Sequence, residues 1–154
     1  MDAPPPMFLP PPVSPEHDPA SLVLVVVGAH LRAELGDRAA GMWLTGRLDA
    51  AVRPLRLRAC TVTDLWQIND TRLAGCPAVS VGGPTVNALT ARLADRLPSV
   101  LSVEGRLIVQ MDLEGIELSA ACWGDTHAAT RRACELFDEK YLGAFVESIA
   151  AATA

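Results

Sequence analysis

The chain has 154 residues, of which 50% are hydrophobic and only 5% aromatic, and its formal net charge is −5. This length is that of a single domain, which buries about two-thirds of its unfolded surface, here in a core of aliphatic side chains. A mildly acidic chain without a run of Lys and Arg is a poor candidate for binding duplex nucleic acid, because that affinity depends on neutralising phosphates.

The cysteines indicate a cytoplasmic protein without a metal site. Cys60, Cys76, Cys122 and Cys134 are irregularly spaced and form no CxxC pair, whereas zinc ligands usually come in closely spaced pairs. The N-terminus lacks the pattern of a secretory signal, and the longest apolar run is far shorter than the ~20 residues that cross a bilayer. We therefore expect free, mostly buried thiols and no membrane contact. Many Ala and Arg residues beside a single lysine are typical of a GC-rich bacterial genome.

Residues 1–20 are rich in proline and predict a disordered tail. Two runs of three prolines flank Met7-Phe8-Leu9, and such a segment samples polyproline II and irregular states because proline cannot continue a helix or a central strand. The alternative is a docking arm that lies on a partner or on a neighbouring subunit. The folded domain is expected to span residues 21–154.

The first half of the domain alternates predicted strands and helices. The continuous apolar run 22–27 predicts a strand that is buried on both faces, as in the middle of a helix-covered sheet. The apolar spacing of residues 31–52 predicts a helix that Asp37 caps and that three glycines weaken. The elements predicted next are a strand at 55–64, a polar turn at 64–70, a strand at 78–81 and a helix at 85–97.

The second half of the domain has short predicted strands followed by one long helix. Short strand-like runs separated by glycine-containing turns predict a β-hairpin or meander near residues 100–123. A final helix is expected from His127 to about Ile149, capped by Asp125 or Thr126, with a broad apolar stripe. Together these elements predict an α/β domain with a mostly parallel central sheet and flanking helices. Their order resembles Rossmann-like and flavodoxin-like sheets, a resemblance of fold that implies no particular activity.

The stretch 78–87 joins an apolar strand to a helix through two glycines and a proline. Glycines let a ligand approach the backbone, and the N–H groups of a first helical turn bind phosphate or carboxylate. We therefore predict Gly82, Gly83 and Asn87 as ligand-binding residues, with Trp66 as a stacking group. The alternatives are a purely structural turn, a solvated Asn87 and a Trp66 packed as a plug. The pattern is neither GxGxxG nor a Walker loop, so no nucleotide cofactor is predicted.

Candidates for proton transfer come from the ends of the first two predicted strands. His30 follows the first strand and Asp64 ends the second, and parallel strands would place both at one edge of the sheet. Histidine titrates near neutrality, so His30 and His127 are the residue types suited to acid–base chemistry. The alternative is that the histidines only form hydrogen bonds and that Asp64 only stabilises a turn.

Two classes of function remain. The favoured one is a non-enzymatic binding or assembly subunit, which acts through a protein partner, a homo-oligomer interface or a small anionic ligand at the Gly82-Gly83 turn. It follows from the tail, from the lack of a recognisable catalytic set, and from the apolar stripe of the final helix. The second is a small enzyme that acts on a nucleotide-like or other anionic metabolite. The sequence does not decide whether the protein is an enzyme.

Overall fold

The structure is a computed structural model, and it describes residues 18–153. The predicted tail and its docking-arm alternative lie outside these residues, apart from the last positions of the tail. There Pro19–Ser21 form a 3₁₀ turn, and Asp18 accepts a hydrogen bond from the backbone N–H of Ala20 at 3.0 Å.

The described residues form one six-stranded sheet with five α-helices. The strands are β1 (Leu22–Val27), β2 (Arg58–Thr63), β3 (Ala78–Val81), β4 (Ser99–Val103), β5 (Leu107–Met111) and β6 (Ser119–Gly124). The helices are α1 (Arg38–Val52), α2 (Asp64–Asn69), α3 (Ala88–Leu93), α4 (His127–Lys140) and α5 (Leu142–Thr153).

The strand order is β2-β1-β3-β6-β5-β4. The first four strands in this order are parallel to one another, and β5 runs antiparallel to β6 and β4. The prediction of an α/β fold with a mostly parallel sheet and a hairpin near residues 100–123 is therefore confirmed, and the sheet as a whole is mixed.

Strand β1 is the centre of the core. Its residues from Val23 to Val27 have no solvent exposure. Val23, Val25 and Val27 pack in the cluster formed with α1, α4 and α5, while Leu24 and Val26 pack against α3 on the other face. This explains the unbroken apolar run, because a strand covered by helices on both faces has no solvent-facing position.

Several element boundaries differ from the predictions for physical reasons. The predicted polar turn at 64–70 is wrong, since Thr63 accepts a hydrogen bond from the N–H of Trp66 and starts α2 there. The predicted cap at Asp37 is also wrong: a π-helical turn, Ala33–Asp37, continues directly into α1, and the Asp37 side chain makes no capping bond. The predicted final helix is interrupted at Tyr141, which separates α4 from α5.

No helix formed by residues 18–153 combines the length and the apolar character that crossing a bilayer requires.

Candidate functional site

The loops that carry the predicted site residues gather at one edge of the sheet. Because β1, β2, β3 and β6 are parallel, their carboxyl ends meet there. The four segments at this edge are 28–30, 63–64, 82–84 and 124–127. In open α/β sheets ligands bind outside the carboxyl ends of the strands, so we call this the carboxyl edge and examine it as the candidate site.

The centre of the carboxyl edge is closed. The connection after β1 leads to β2 on one side, whereas the connection after β3 leads to β4 at the far edge on the other side, so a crevice is expected between β1 and β3. The turn after β3 fills this crevice, since a Cβ atom at Gly28 would overlap the carbonyl oxygen of Val86. As a result, two separate cavities lie on either side of the turn, and both are lined by Thr85 and Val86.

The first cavity measures about 380 Å³, and we call it the polar cavity because most of the residues that line it have charged or hydroxyl side chains. Its lining includes Arg32, Asp37, Gly83, Thr126 and His127. The Nδ1 atom of His127 lies 3.1 Å from Oδ1 of Asp37, and the side chains of these two residues are 49% and 4% exposed. A buried carboxylate thus orients a half-exposed imidazole, whose Nε2 has no hydrogen-bond partner among residues 18–153.

Local structure places these two side chains together. Asp37 ends the π-helical turn that precedes α1, and such turns are frequent at functional sites. His127 is the first residue of α4, whose N-cap Thr126 accepts a hydrogen bond from the N–H of Ala129 at 3.0 Å. The predicted cap at Thr126 is therefore confirmed, and it holds His127 at the mouth of the polar cavity.

The diglycine turn is only partly open to this cavity. Gly82 is buried with a φ of 109°, and a Cβ atom there would lie 2.7 Å from Oδ2 of Asp37. Gly83 is half-buried and lines the cavity. A molecule in the cavity can therefore approach Gly83, whereas the side of Gly82 that would carry a Cβ faces the Asp37 carboxylate.

The second cavity measures about 460 Å³ and is mainly apolar. Leu65, Pro84, Ala88 and Ala91 line it together with His30. His30 is exposed, and its Nδ1 accepts a hydrogen bond from the backbone N–H of Arg32 at 3.1 Å. This cavity offers an apolar surface with one imidazole at its rim.

Asp64, at the floor of the apolar cavity, is bound to the backbone. Its Oδ1 accepts hydrogen bonds from the N–H groups of Ala29 at 2.9 Å and Leu65 at 2.8 Å, and its Oδ2 accepts one from Ala88 at 2.8 Å. The residue is only 5% exposed. The carboxylate ties together the ends of β1 and β2 and the start of α3, and its predicted role in proton transfer stays a prediction.

The side chain of Asn87 also forms hydrogen bonds with the backbone. Its Nδ2 donates to the carbonyl oxygens of Val26 at 3.0 Å and Val81 at 2.9 Å, and its Oδ1 accepts from the N–H groups of Leu89 and Thr90. A side-chain amide has two N–H donors and two acceptor sites, so all of its capacity is used. Asn87 is the N-cap of α3 rather than a residue within the helix, and its contact with a ligand stays a prediction.

Trp66 lies apart from the other predicted ligand residues. It is 56% exposed and lines a third cavity, together with Pro19, Leu22 and Arg58. Its Nε1 donates to Oδ2 of Asp70 at 3.3 Å. Hydrogen bonds from Arg72 hold the pKa of the Asp70 carboxyl well below its usual range, so this carboxylate remains charged beside the indole. The structure therefore does not bring Trp66 into either cavity of the carboxyl edge.

The cysteines are free, and none of them is set up as a nucleophile. Burial raises the pKa of the thiols of Cys60, Cys76 and Cys122, and the neighbouring Cys134 raises the pKa of Cys122 further. A reactive thiol needs an electropositive, accessible setting that lowers its pKa. Within residues 18–153, no group of three His, Cys, Asp or Glu side chains is arranged to hold a metal ion.

Sequence reasoning identified Gly83 and His127 but missed other residues that line the polar cavity. The sequence predicts Asp37 as a helix cap, and no local pattern marks Arg32 or Thr85 as a site residue. Asp37 and His127 are 90 positions apart, so no local spacing relates them. The chain matches no protein-family model, and the search of curated proteins finds no significant match.

Proposed function

We propose that the protein is a binding subunit that holds a small amphipathic anion at the carboxyl edge of its sheet. The observation that carries the proposal is the pair of cavities that share Thr85 and Val86. One cavity is lined by charged and hydroxyl groups, and the other is mainly apolar. A molecule that lies across the shared turn places its acidic group in the first cavity and its apolar group in the second.

Charge in the polar cavity decides where the acidic group lies. The Arg32 guanidinium makes no ion pair with any described residue, so it is available to a ligand carboxylate or phosphate. Asp37 and Asp125 carry the opposite charge, but Asp37 is buried and bound to His127, and Asp125 lies 3.8 Å from the guanidinium of Arg106. The anion therefore sits towards Arg32 and Thr126, away from the Asp37 carboxylate behind Gly82.

We further infer a flavodoxin-like layering for the parallel part of the sheet. The order β2-β1-β3, with α1 on one face and α3 on the other, agrees with that of doubly wound sheets. This likeness of fold supports the carboxyl edge as the place to test, and it carries no information about the ligand's identity.

The proposal includes assembly with a second copy of the chain in the cytoplasm. Leu31, Leu35 and Met42, which lie on the helical segment beside the polar cavity, are 73%, 75% and 58% exposed. Large apolar side chains exposed together mark contact surfaces. Free thiols agree with a reducing compartment. Native mass measurement of the wild type and of Leu35→Glu tests this part, and a monomeric wild type contradicts it.

A thermal-shift comparison tests ligand binding. Octanoate carries both a carboxylate and an apolar chain, whereas acetate lacks the chain and hexanol lacks the carboxylate. We expect octanoate to raise the melting temperature more than either, and Arg32→Gln to remove most of that rise. Arg47→Gln serves as a matched control, because this arginine pairs with Asp138 between α1 and α4. An equal response from the wild type and Arg32→Gln contradicts the proposed site.

A second candidate function, an enzyme acting on an anionic metabolite, is favoured by the His127–Asp37 pair. A carboxylate that binds one imidazole nitrogen orients the ring, so that the other nitrogen can accept a proton from a bound molecule. Here Asp37 holds Nδ1, and Nε2 is free of described partners. If this function is correct, a bound metabolite is converted by the wild type, and His127→Gln binds it without turnover. Recovery of the unchanged metabolite after incubation with the wild type contradicts it.

A further inference from the structure

We propose a second ligand site at the opposite edge of the sheet, which binds a small carboxylate bearing a neighbouring hydroxyl or amino group. A cavity of about 280 Å³ lies there, at the amino ends of β3 and β6. Its polar lining comes from Gln67, Arg92, Arg96, Glu117 and Ser119. None of these residues lines the cavities of the carboxyl edge, so the site is independent of the proposed function.

Gln67 is the observation that points to a ligand. It is 4% exposed, its Oε1 is buried without a hydrogen-bond partner, and its side-chain amide makes no hydrogen bond within residues 18–153. Leaving a buried amide unpaired costs about 1–3 kcal/mol, and natural proteins usually avoid it. A molecule in the cavity that donates a hydrogen bond to Oε1 removes this cost.

The comparison with Gln110 shows why Gln67 is distinctive. Gln110 also has a buried Oε1 without a partner, but its Nε2 donates to the carbonyl oxygens of Ala94 at 2.9 Å and Leu97 at 2.8 Å. It thereby satisfies two carbonyl groups beyond the end of α3, and it lines none of the cavities described above. Gln67 makes no such side-chain hydrogen bond, and it lines the cavity.

The arginines that line this cavity favour a negatively charged ligand. Arg96 forms an ion pair with Glu117, so these two charges offset each other. Arg92 forms no ion pair with any described residue, and it leaves the cavity with one net positive charge. A carboxylate that binds the Arg92 guanidinium completes the charge balance, because guanidinium groups match the geometry of a carboxylate.

The wall that carries Glu117 is held in place before any ligand binds. Asp112 accepts hydrogen bonds from the backbone N–H groups of Glu114 at 3.0 Å, Glu117 at 2.6 Å and Leu118 at 3.2 Å. Partial burial acts to raise the pKa of Asp112, but these backbone bonds outweigh it and lower the pKa. The β5–β6 loop is therefore preorganised, which lowers the entropic cost of binding.

Size and polarity together define the ligand class. A volume of about 280 Å³ lies just below the range of cavities that bind drug-sized ligands, so it favours a small molecule. The ligand needs a carboxylate for Arg92 and a hydrogen-bond donor for Oε1 of Gln67. Hydroxy acids and amino acids of three or four carbon atoms share this chemistry.

The test measures dissociation constants of lactate, alanine and acetate for the full chain by NMR titration. Lactate offers a hydroxyl group as the hydrogen-bond donor and alanine offers an amino group, whereas acetate has neither. We expect at least one of the first two to bind about fivefold or more tightly than acetate, since only they satisfy Oε1 of Gln67. Gln67→Leu should remove this difference, and Arg92→Gln should weaken all three. Gln67→Glu, which preserves the size of the side chain, should abolish binding by repelling the carboxylate.

Arg32→Gln is the matched control, because it alters only the polar cavity of the carboxyl edge. Unchanged binding in this variant, with loss in Arg92→Gln, supports the second site even if the proposed function fails. Loss in Arg32→Gln with retention in Arg92→Gln places the molecule at the carboxyl edge and overturns the inference. Lack of saturation by lactate and alanine also overturns it, since the cavity then holds only water.

Discussion

Replacement of Asn87 by Ala should destabilise the unliganded protein, because this side chain holds the carboxyl edge together. The residue is 1% exposed and joins three elements. Its amide nitrogen donates to carbonyl oxygens at the ends of β1 and β3, and its amide oxygen caps α3. Alanine retains none of these four hydrogen bonds and leaves a small cavity.

The expected loss follows from the hydrogen bonds. Removing an N-cap side chain costs about 1 kcal/mol. Each buried carbonyl group that loses its donor adds about 1 kcal/mol. The free energy of unfolding should therefore fall by about 3 kcal/mol, a large part of the roughly 5–15 kcal/mol that stabilises a typical domain. For a chain of this size the melting temperature should fall by roughly 6–12 °C.

Urea unfolding followed by tryptophan fluorescence measures this change. Asn87→Asp separates the contributions, since it keeps the capping oxygen but replaces the two N–H donors with an acceptor facing two carbonyl groups. Thr85→Ala is the matched control in the same turn, where an exposed residue should change stability by less than about 0.5 kcal/mol. A loss below about 1 kcal/mol for Asn87→Ala would refute the structural role and favour the predicted role of Asn87 as a ligand residue.

Three further predictions follow from the same structure. Asp64→Ala should lower the free energy of unfolding by about 3 kcal/mol, because three backbone N–H groups lose their acceptor, and urea unfolding checks this value. Partial burial acts to raise the pKa of Asp49, but hydrogen bonds from the Ala59 N–H and from Arg58 and Arg53 lower it to about 2. The stabilisation by the Asp49 carboxylate should therefore be complete above about pH 4 and lost as the pH falls through about 2. Urea unfolding at different pH values checks this. The free energies of unfolding of the wild type and Asp49→Asn should differ by about 1 kcal/mol at neutral pH, after allowance for screening, and should converge at about pH 2. Gly46→Ala, at an exposed helical position with open space around it, should raise the melting temperature, whereas Gly41→Ala should lower it because the added Cβ would lie 2.5 Å from Cγ1 of Val27.

The parts of the fold that follow from local composition were predictable. The apolar runs of β1 and β3 gave the observed bounds of both strands, because a strand buried on both faces leaves a continuous signal in the sequence. The start of α4 was predictable for a similar reason, since Thr126 is a good capping residue directly before a helical segment. Thr63 is the same type of capping residue directly before α2, so it predicts a helix start where a turn is expected from the polar composition.

The arrangement of the site was not predictable from the sequence. Asp37 and His127 meet only because α1 and α4 pack on the same face of the sheet. Trp66 and Gly83 are both near strand ends in sequence, yet α2 carries Trp66 to a different cavity. Asn87 and Asp64 are residue types common in binding sites, but whether they bind a ligand or the backbone depends on which N–H groups the fold leaves nearby. Local patterns cannot supply that information.

These contacts separate the carboxyl edge into a part that maintains the fold and a part that is free for function. The side chains of Asn87 and Asp64 form hydrogen bonds with backbone groups at the ends of β1, β2 and β3 and at the start of α3. The guanidinium of Arg32 and Nε2 of His127 have no hydrogen-bond or ion-pair partners among residues 18–153, and both residues line one cavity. Substitutions in the first group should therefore change stability whether or not a ligand is present, because their bonds exist in the unliganded protein. Substitution of Arg32 should leave the unliganded protein almost unchanged and alter only its response to a ligand, so a large loss of stability in Arg32→Gln would show that this division is wrong. Substitution of His127 also removes the bond between its Nδ1 and the buried Asp37, so it does not test the division.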